Sequence, residues 1–264
     1  MDKKKQVEEI LLSPINVIGY KGNAATRINK VGNKIETTQS YYPYKNYPIN
    51  LDADMSDFAI GFYEIIYKDF LENEILNKTE ALFNEEFAGD TMNSFNSIAN
   101  TVPGAGKSSA RRTERSEWPK YLQEYYDQYH CLANFWVLPM VVGRKADNKY
   151  YKAYSNYYSV DGGTQDYMDR FLKVLKDNFG VYKESYPDYF RKLDSFEDFL
   201  NVNYINDVYY KDGCIVDYSS LKAEERIGRI TDNIKGRAKA ISNSKHIDEL
   251  WKYFDSLGLF LKND

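Results

Sequence analysis

Histidine and cysteine are the scarce residues of this chain, two of each in 264. With only His130 and His246, a zinc site built from several histidines is excluded. Cys131 and Cys214 are too far apart in sequence for a Cys-x-x-Cys metal or redox pair. Both have apolar neighbours and are read as buried, reduced thiols, which suits a cytoplasm. No Gly-x-Ser-x-Gly elbow occurs, so a hydrolase triad would have to recruit one of the two histidines. Uninterrupted apolar runs stay far below the ~20 residues of a membrane span. Glu8 and Glu9 stand directly before a very short apolar run, unlike a signal peptide. The net charge of −4 gives an overall field that does not favour nucleic acid or an anionic membrane, although a local basic face is compatible with it.

What the chain has in excess is aromatic: 25 Tyr and 14 Phe. Clusters stand at Tyr41-Tyr42-Pro43-Tyr44, from Tyr150-Tyr151 to Tyr157-Tyr158, and at Tyr209-Tyr210. Two readings are open. Tyrosine supplies large contact area at low entropic cost, which suits a binding surface. An AT-rich coding sequence would raise Tyr, Asn, Lys, Ile and Phe together without any functional meaning.

The most apolar stretch is Tyr129-His130-Cys131-Leu132-Ala133-Asn134-Phe135-Trp136-Val137-Leu138-Pro139, and it carries one histidine, one cysteine and an asparagine. Such a mixture marks the middle of a core or the floor of a site. Around it the periodicities predict a mainly α (α+β) fold with a small antiparallel sheet or hairpins. Helices are expected over Lys4–Leu12, Asp54–Asn77 with Asp54 as cap, Thr79–Asn100, Ser116–Tyr129, Thr164–Phe179, Ser195–Leu200, Leu221–Ser242 and Lys245–Leu257. In Thr164–Phe179, Asp169 is assigned to the outer face. Ile15–Tyr20 reads as a strand, Lys21–Leu51 as irregular or hairpin-like, and Val208–Val216 as a hairpin turning on Asp212-Gly213. One domain is expected, or two lobes, 1–101 and 117–264, joined by a flexible basic loop over 102–116.

That loop holds Gly106-Lys107-Ser108, which invites a phosphate-binding reading. The motif needs a glycine where Thr101 stands and a buried strand before it, whereas Phe95–Thr101 reads as the end of a helix. ATP or GTP binding is therefore not expected there.

His130 is the only credible catalytic base or ligand; His246, near the start of the last helix, reads as a surface or capping residue. Asp90 and Asn93, three apart, would share one face of the Thr79–Asn100 helix, and His130 and Asn134, four apart, would do so if a helical turn continued through them. Arg226, Arg229 and Arg237 lie off the apolar stripe of Leu221–Ser242 and are the candidate contacts for nucleic acid.

His130-Cys131-Leu132-Ala133-Asn134-Phe135, continuing to Leu138-Pro139, resembles the His-x-x-Gly-Asn-Leu segment in the nuclease module of some modification-dependent restriction enzymes. The resemblance implies a His-Asn-His type metal site that cuts DNA. Thr91-Met92-Asn93-Ser94-Phe95 followed by Tyr129-His130, Asn134-Phe135 and Leu138-Pro139 also resembles uncharacterised bacterial proteins. The departure from the nuclease module is specific. It needs a second, upstream histidine to activate water, and no histidine precedes His130. A carboxylate nuclease fares no better, since Ser219 follows Asp217 where Glu/Asp-x-Lys requires lysine.

Two classes of function follow. The first is a cytoplasmic binding or regulatory protein of bacterial or phage origin, acting without a cofactor through aromatic surface on a protein or nucleotide-like ligand. The second is a divalent-metal-dependent enzyme acting on nucleic acid, with Asp90, Asn93, His130, Asn134 and Arg144 as its site.

Overall fold

The computed structural model describes residues 2–20, 27–39, 53–71, 87–105, 113–139 and 168–260. The protein is mainly α, with small sheets of two or three strands. It divides into two compact units that interleave in sequence. The first comprises Met1–Thr91, His130–Met140 and Arg237–Asp264, and the second Met92–Tyr129 and Val141–Gly236. The stretch 102–116 falls within Met92–Tyr129, one segment of the second unit.

In the first unit, helix α1 (Lys3–Leu11) starts at Asp2, whose carboxylate accepts from the Lys4 amide, and buries Val7, Ile10 and Leu11. Strands β1 (Ile15–Tyr20), β2 (Ile28–Val31) and β3 (Lys34–Gln39) form a sheet in the order β1-β3-β2. The β2–β3 pair is the hairpin expected within 21–51, while β1 runs parallel to β3, so this sheet is mixed rather than antiparallel. Ile15 pairs with Ile35, and both are buried.

Helix α2 (Asp57–Ile66) begins later than expected. Ser56, not Asp54, caps it, taking the Ala59 amide on Oγ, because the short 3₁₀ turn Ala53–Met55 draws Asp54 into the core. Residues 72–77 lie outside the described residues. Phe87–Thr91 is strand β4, not helix, and pairs antiparallel with β5 (Phe135–Pro139), Gly89 opposite Val137 and Thr91 opposite Phe135. Ala-Gly-Asp-Thr is a poor helical run, and the aromatic and β-branched partner strand supplies the pairing that overrides the apparent period. Gly89 admits a close approach there: a side-chain carbon would lie 2.2 Å from the Asp54 carbonyl oxygen.

The second unit opens with helix α3 (Phe95–Ala99), within the expected Thr79–Asn100 helix, of which 79–86 lie outside the described residues; Phe95 and Ile98 are buried. Pro119 then sets the start of α4 (Lys120–Gln128). Four helices follow, α5 (Met168–Asp177), α6 (Phe179–Ser185), α7 (Pro187–Phe190) and α8 (Phe196–Val202). Phe190 stacks on Phe199 at 6.0 Å between ring centres. Asp169 is buried rather than outward: its carboxylate accepts from the Tyr218 amide at 3.0 Å and the Arg170 amide at 2.9 Å. A carboxylate with two amide donors can be held inside, which a periodicity does not reveal. Ser195 and Asp198 form a reciprocal capping box at α8. The hairpin β6 (Tyr210–Lys211) and β7 (Cys214–Ile215) turns on Asp212 and Gly213 at φ 51° and 79°, as two-residue turns require. Cys214 is exposed on it, against the expectation of burial.

The long helix α9 (Ala223–Ser242) buries Ile227, Ile230, Ile234, Ala238 and Ile241, the stripe read from the sequence. Its last six residues belong to the first unit. There α10 (Ile247–Ser256) sets Tyr253 and Phe254 against Phe58 of α2, at 6.1 and 5.7 Å between ring centres. Among the described residues no helix is long and apolar enough to cross a membrane.

Candidate functional site

The central apolar stretch is core of the first unit. Cys131 is extended (φ −137°), Leu132–Asn134 make one 3₁₀ turn, and β5 begins at Phe135. Every residue from Cys131 to Leu138 is buried. The break at Cys131 means that His130 and Asn134 do not share a helical face. His130 is half-buried, its ring edge-on to Phe135 at 5.9 Å, and its carbonyl accepts from the Ile15 amide at 2.8 Å. Asn134 is fully buried and its amide closes the turn on the Cys131 carbonyl at 2.9 Å. Burial pushes the Cys131 thiol up to about 12.

One guanidinium organises this turn. Arg237, assigned from the sequence to an outer face of its helix, has no exposed surface. Its Nη1 donates to the carbonyls of Phe135 (2.7 Å), Ala133 (3.0 Å) and Leu132 (3.4 Å). The 3₁₀ turn presents these carbonyls on one side, and a buried carbonyl left unpaired is costly. Arg237 is therefore not a nucleic-acid contact. Of the other two candidates, Arg226 donates to the Leu221 carbonyl at 2.9 Å, and Arg229 is exposed.

The neighbouring strand β4 also meets a buried carboxylate from the 3₁₀ turn before α2, that of Asp54. Thr91 Oγ1 donates to Asp54 Oδ2 at 2.8 Å, and the Tyr63 hydroxyl donates to the Asp54 carbonyl at 3.0 Å. Burial, and then the Asp54 carboxylate, push the Tyr63 phenol well above its ordinary value. Asp90 is half-buried and accepts from the Thr91 amide at 2.8 Å, a local turn-like bond. The sequence offered no mark for this network, since Asp54 looked like a helix cap.

Asp90 lies in strand β4 and Asn93 in the bend that follows it, so the helical face they were expected to share does not form. Asn93 Nδ2 donates to the Tyr209 hydroxyl at 2.7 Å, and its carbonyl accepts from the Tyr125 hydroxyl at 2.7 Å. Arg144 and Gly106-Lys107-Ser108 lie outside the described residues; the segment before the latter is helical, as read. His246 stands at the cap position of α10, but it is buried rather than at the surface and its side chain makes no cap bond. Among the described residues, no three or more His, Cys, Asp or Glu side chains gather as metal ligands.

The second unit carries an aromatic group of a different kind. Phe95 stacks under Trp118 (5.3 Å) and meets Tyr126 edge-on (4.8 Å), with Tyr129 at 5.7 Å. Pro119 turns the chain between Trp118 and α4, and α4 then brings Tyr125, Tyr126 and Tyr129 round one side of the helix. Tyr125 and Trp118 are buried, but Tyr126 is 40% exposed. The Arg115 guanidinium lies 5.0 Å from the Tyr126 ring centre and pairs with Asp127 at 2.5 Å. Such a surface can stack a flat group and answer a charge beside it.

No family model matches the chain, and neither does any curated protein or solved structure.

Proposed function

We propose that the protein works by binding, through the aromatic surface of its second unit, a protein segment or a nucleotide-like ligand that presents a flat group. The observation that carries this reading is Tyr126, exposed above a buried aromatic bed with a guanidinium beside its ring. Tyrosine and arginine dominate the energetics of contact surfaces, and aromatic faces stack bases irrespective of sequence. Support comes also from the candidate catalytic groups: Asn93 is engaged by Tyr209 and Tyr125, and Asn134 is buried in the core. The rival reading, a divalent-metal-dependent nuclease resembling the His-Asn-His modules, would need His130 to act from beside Phe135. We place the protein in the cytoplasm of a bacterial or phage-infected cell; its two cysteines are free thiols, which accords with a reducing compartment.

A fluorescence titration tests the nucleotide-like arm. Trp118, in contact with Phe95 and Tyr126, should be quenched by ATP or a short oligothymidylate, and Tyr126→Ala should weaken that binding at least several-fold. Quenching left unchanged by Tyr126→Ala would move the ligand off this surface. DNA cleavage that depends on added Mg²⁺ or Mn²⁺ and is lost in His130→Ala would favour the rival.

A further inference from the structure

The turn between α9 and α10 holds a histidine in an unusual position for a residue that begins a helix. His246 occupies the cap position of α10, yet its side chain does not cap. Only 2% of the residue is exposed. Its carbonyl accepts from the Glu249 and Leu250 amides at 3.1 and 2.9 Å, so the backbone is fixed while the imidazole packs inward. Nδ1 has no hydrogen-bond partner among the described residues, and Nε2 stands 3.9 Å from Asp69 Oδ2.

Charged groups from two segments face this imidazole. The turn after α2 contributes Lys68 and Asp69, and the histidine's own segment contributes Lys245 and Glu249. They are already paired with one another: Lys245 with Asp69 at 2.5 Å, and Lys68 with Glu249. From α1, Lys4 reaches Asn243 in the same turn at 2.7 Å. Neutral imidazole fits this arrangement. A proton added to it creates a buried cation beside two ammonium groups whose carboxylate partners are occupied.

We propose that His246 is a proton-operated latch within the first unit, its protonation loosening α10 from the turn after α2. Burial is the largest influence and holds the imidazole below its ordinary value. Asp69 opposes that shift, and Lys245 and Lys68 reinforce it. The sign follows from linkage. The opened state takes up the proton near pH 6.5, the packed state only at lower pH. The latch is therefore fully closed above that range and weakens as pH falls through it.

Carbon-detected or long-range nitrogen NMR of the full chain reads the latch directly, because only two histidines need assignment. His246 should titrate below the free imidazole value. Amide-exchange protection factors over 247–256, corrected for intrinsic rates, should fall several-fold between pH 7 and pH 5. His246→Gln, which keeps an uncharged polar side chain, should abolish that fall. Lys245→Gln retains the imidazole and is the second arm: it should raise the His246 titration midpoint and shrink the loss of protection. The latch is overturned if His246 titrates at or above the free value. It is equally overturned if wild type and His246→Gln lose protection in parallel, or if Lys245→Gln leaves the midpoint unmoved.

Discussion

Arg237 donates from its buried guanidinium to the carbonyl of Phe135 at 2.7 Å, and through the same nitrogen to Ala133 at 3.0 Å. A side chain from α9 thus fixes the point at which the central stretch changes from 3₁₀ turn to strand. Removing it leaves carbonyls buried without their donor, so Arg237→Met, which keeps most of the volume, should cost about 3 kcal/mol, the range for losing hydrogen bonds to a charged group. Urea unfolding measures this. A midpoint equal to wild type would mean that those carbonyls find other donors.

Trp136 lies fully buried opposite Asp90 on the β4–β5 pair, between Phe135 and Val137, which are also inaccessible. Trp136→Ala should cost about 3–5 kcal/mol, the usual penalty for deleting a large core ring. Gly89→Ala should be costly as well, since its new methyl would stand 2.2 Å from the Asp54 carbonyl oxygen and against the buried Tyr63 ring. Thermal unfolding of both variants gives the order of effects; a Gly89→Ala protein as stable as wild type would show that β4 can shift.

His130→Ala removes one edge-on ring contact with Phe135 but keeps the carbonyl bond to Ile15. The expected loss is about 1 kcal/mol, the scale of an aromatic pair. Binding through the Tyr126 surface should be unaffected. A variant that melts normally and yet loses all activity would make His130 a chemical group.

The two thiols should differ sharply in reactivity. The thiolate is the reactive form, and Cys131, buried with its thiol pushed up to about 12, holds almost none of it at pH 8. Cys214 is exposed on its hairpin. Ellman titration should find one reactive thiol in the native protein, none in Cys214→Ser, and both after unfolding. Rapid labelling of Cys131 in the native chain would contradict its burial.

What could be read from the sequence was what local chemistry decides. The Ile227–Ile241 stripe, the Asp212-Gly213 turn and the short helix at Ser195–Leu200 each carry their reason within a few residues, and each is present. The misreadings share the opposite property. Phe87–Thr91 becomes a strand because Phe135–Pro139 pairs with it from far along the chain. Asp54 loses the cap to Ser56 because Thr91 claims its carboxylate. Arg237 and Asp169 go inside because distant backbone groups satisfy them. For Tyr129–Pro139 the sequence left core and site floor open, since apolar density looks alike in both cases; the burial of Cys131–Leu138 makes it core.

The most direct measurement is photo-crosslinking from position 126. With p-benzoylphenylalanine in place of Tyr126, irradiation in cells should give a discrete adduct, and digestion with protease or nuclease then tells protein from nucleic acid. The same probe at exposed Lys252, in the other unit, is the control and should give none. No adduct from position 126, or the same adducts from both positions, would contradict the assignment of the Tyr126 surface as the place where this protein binds.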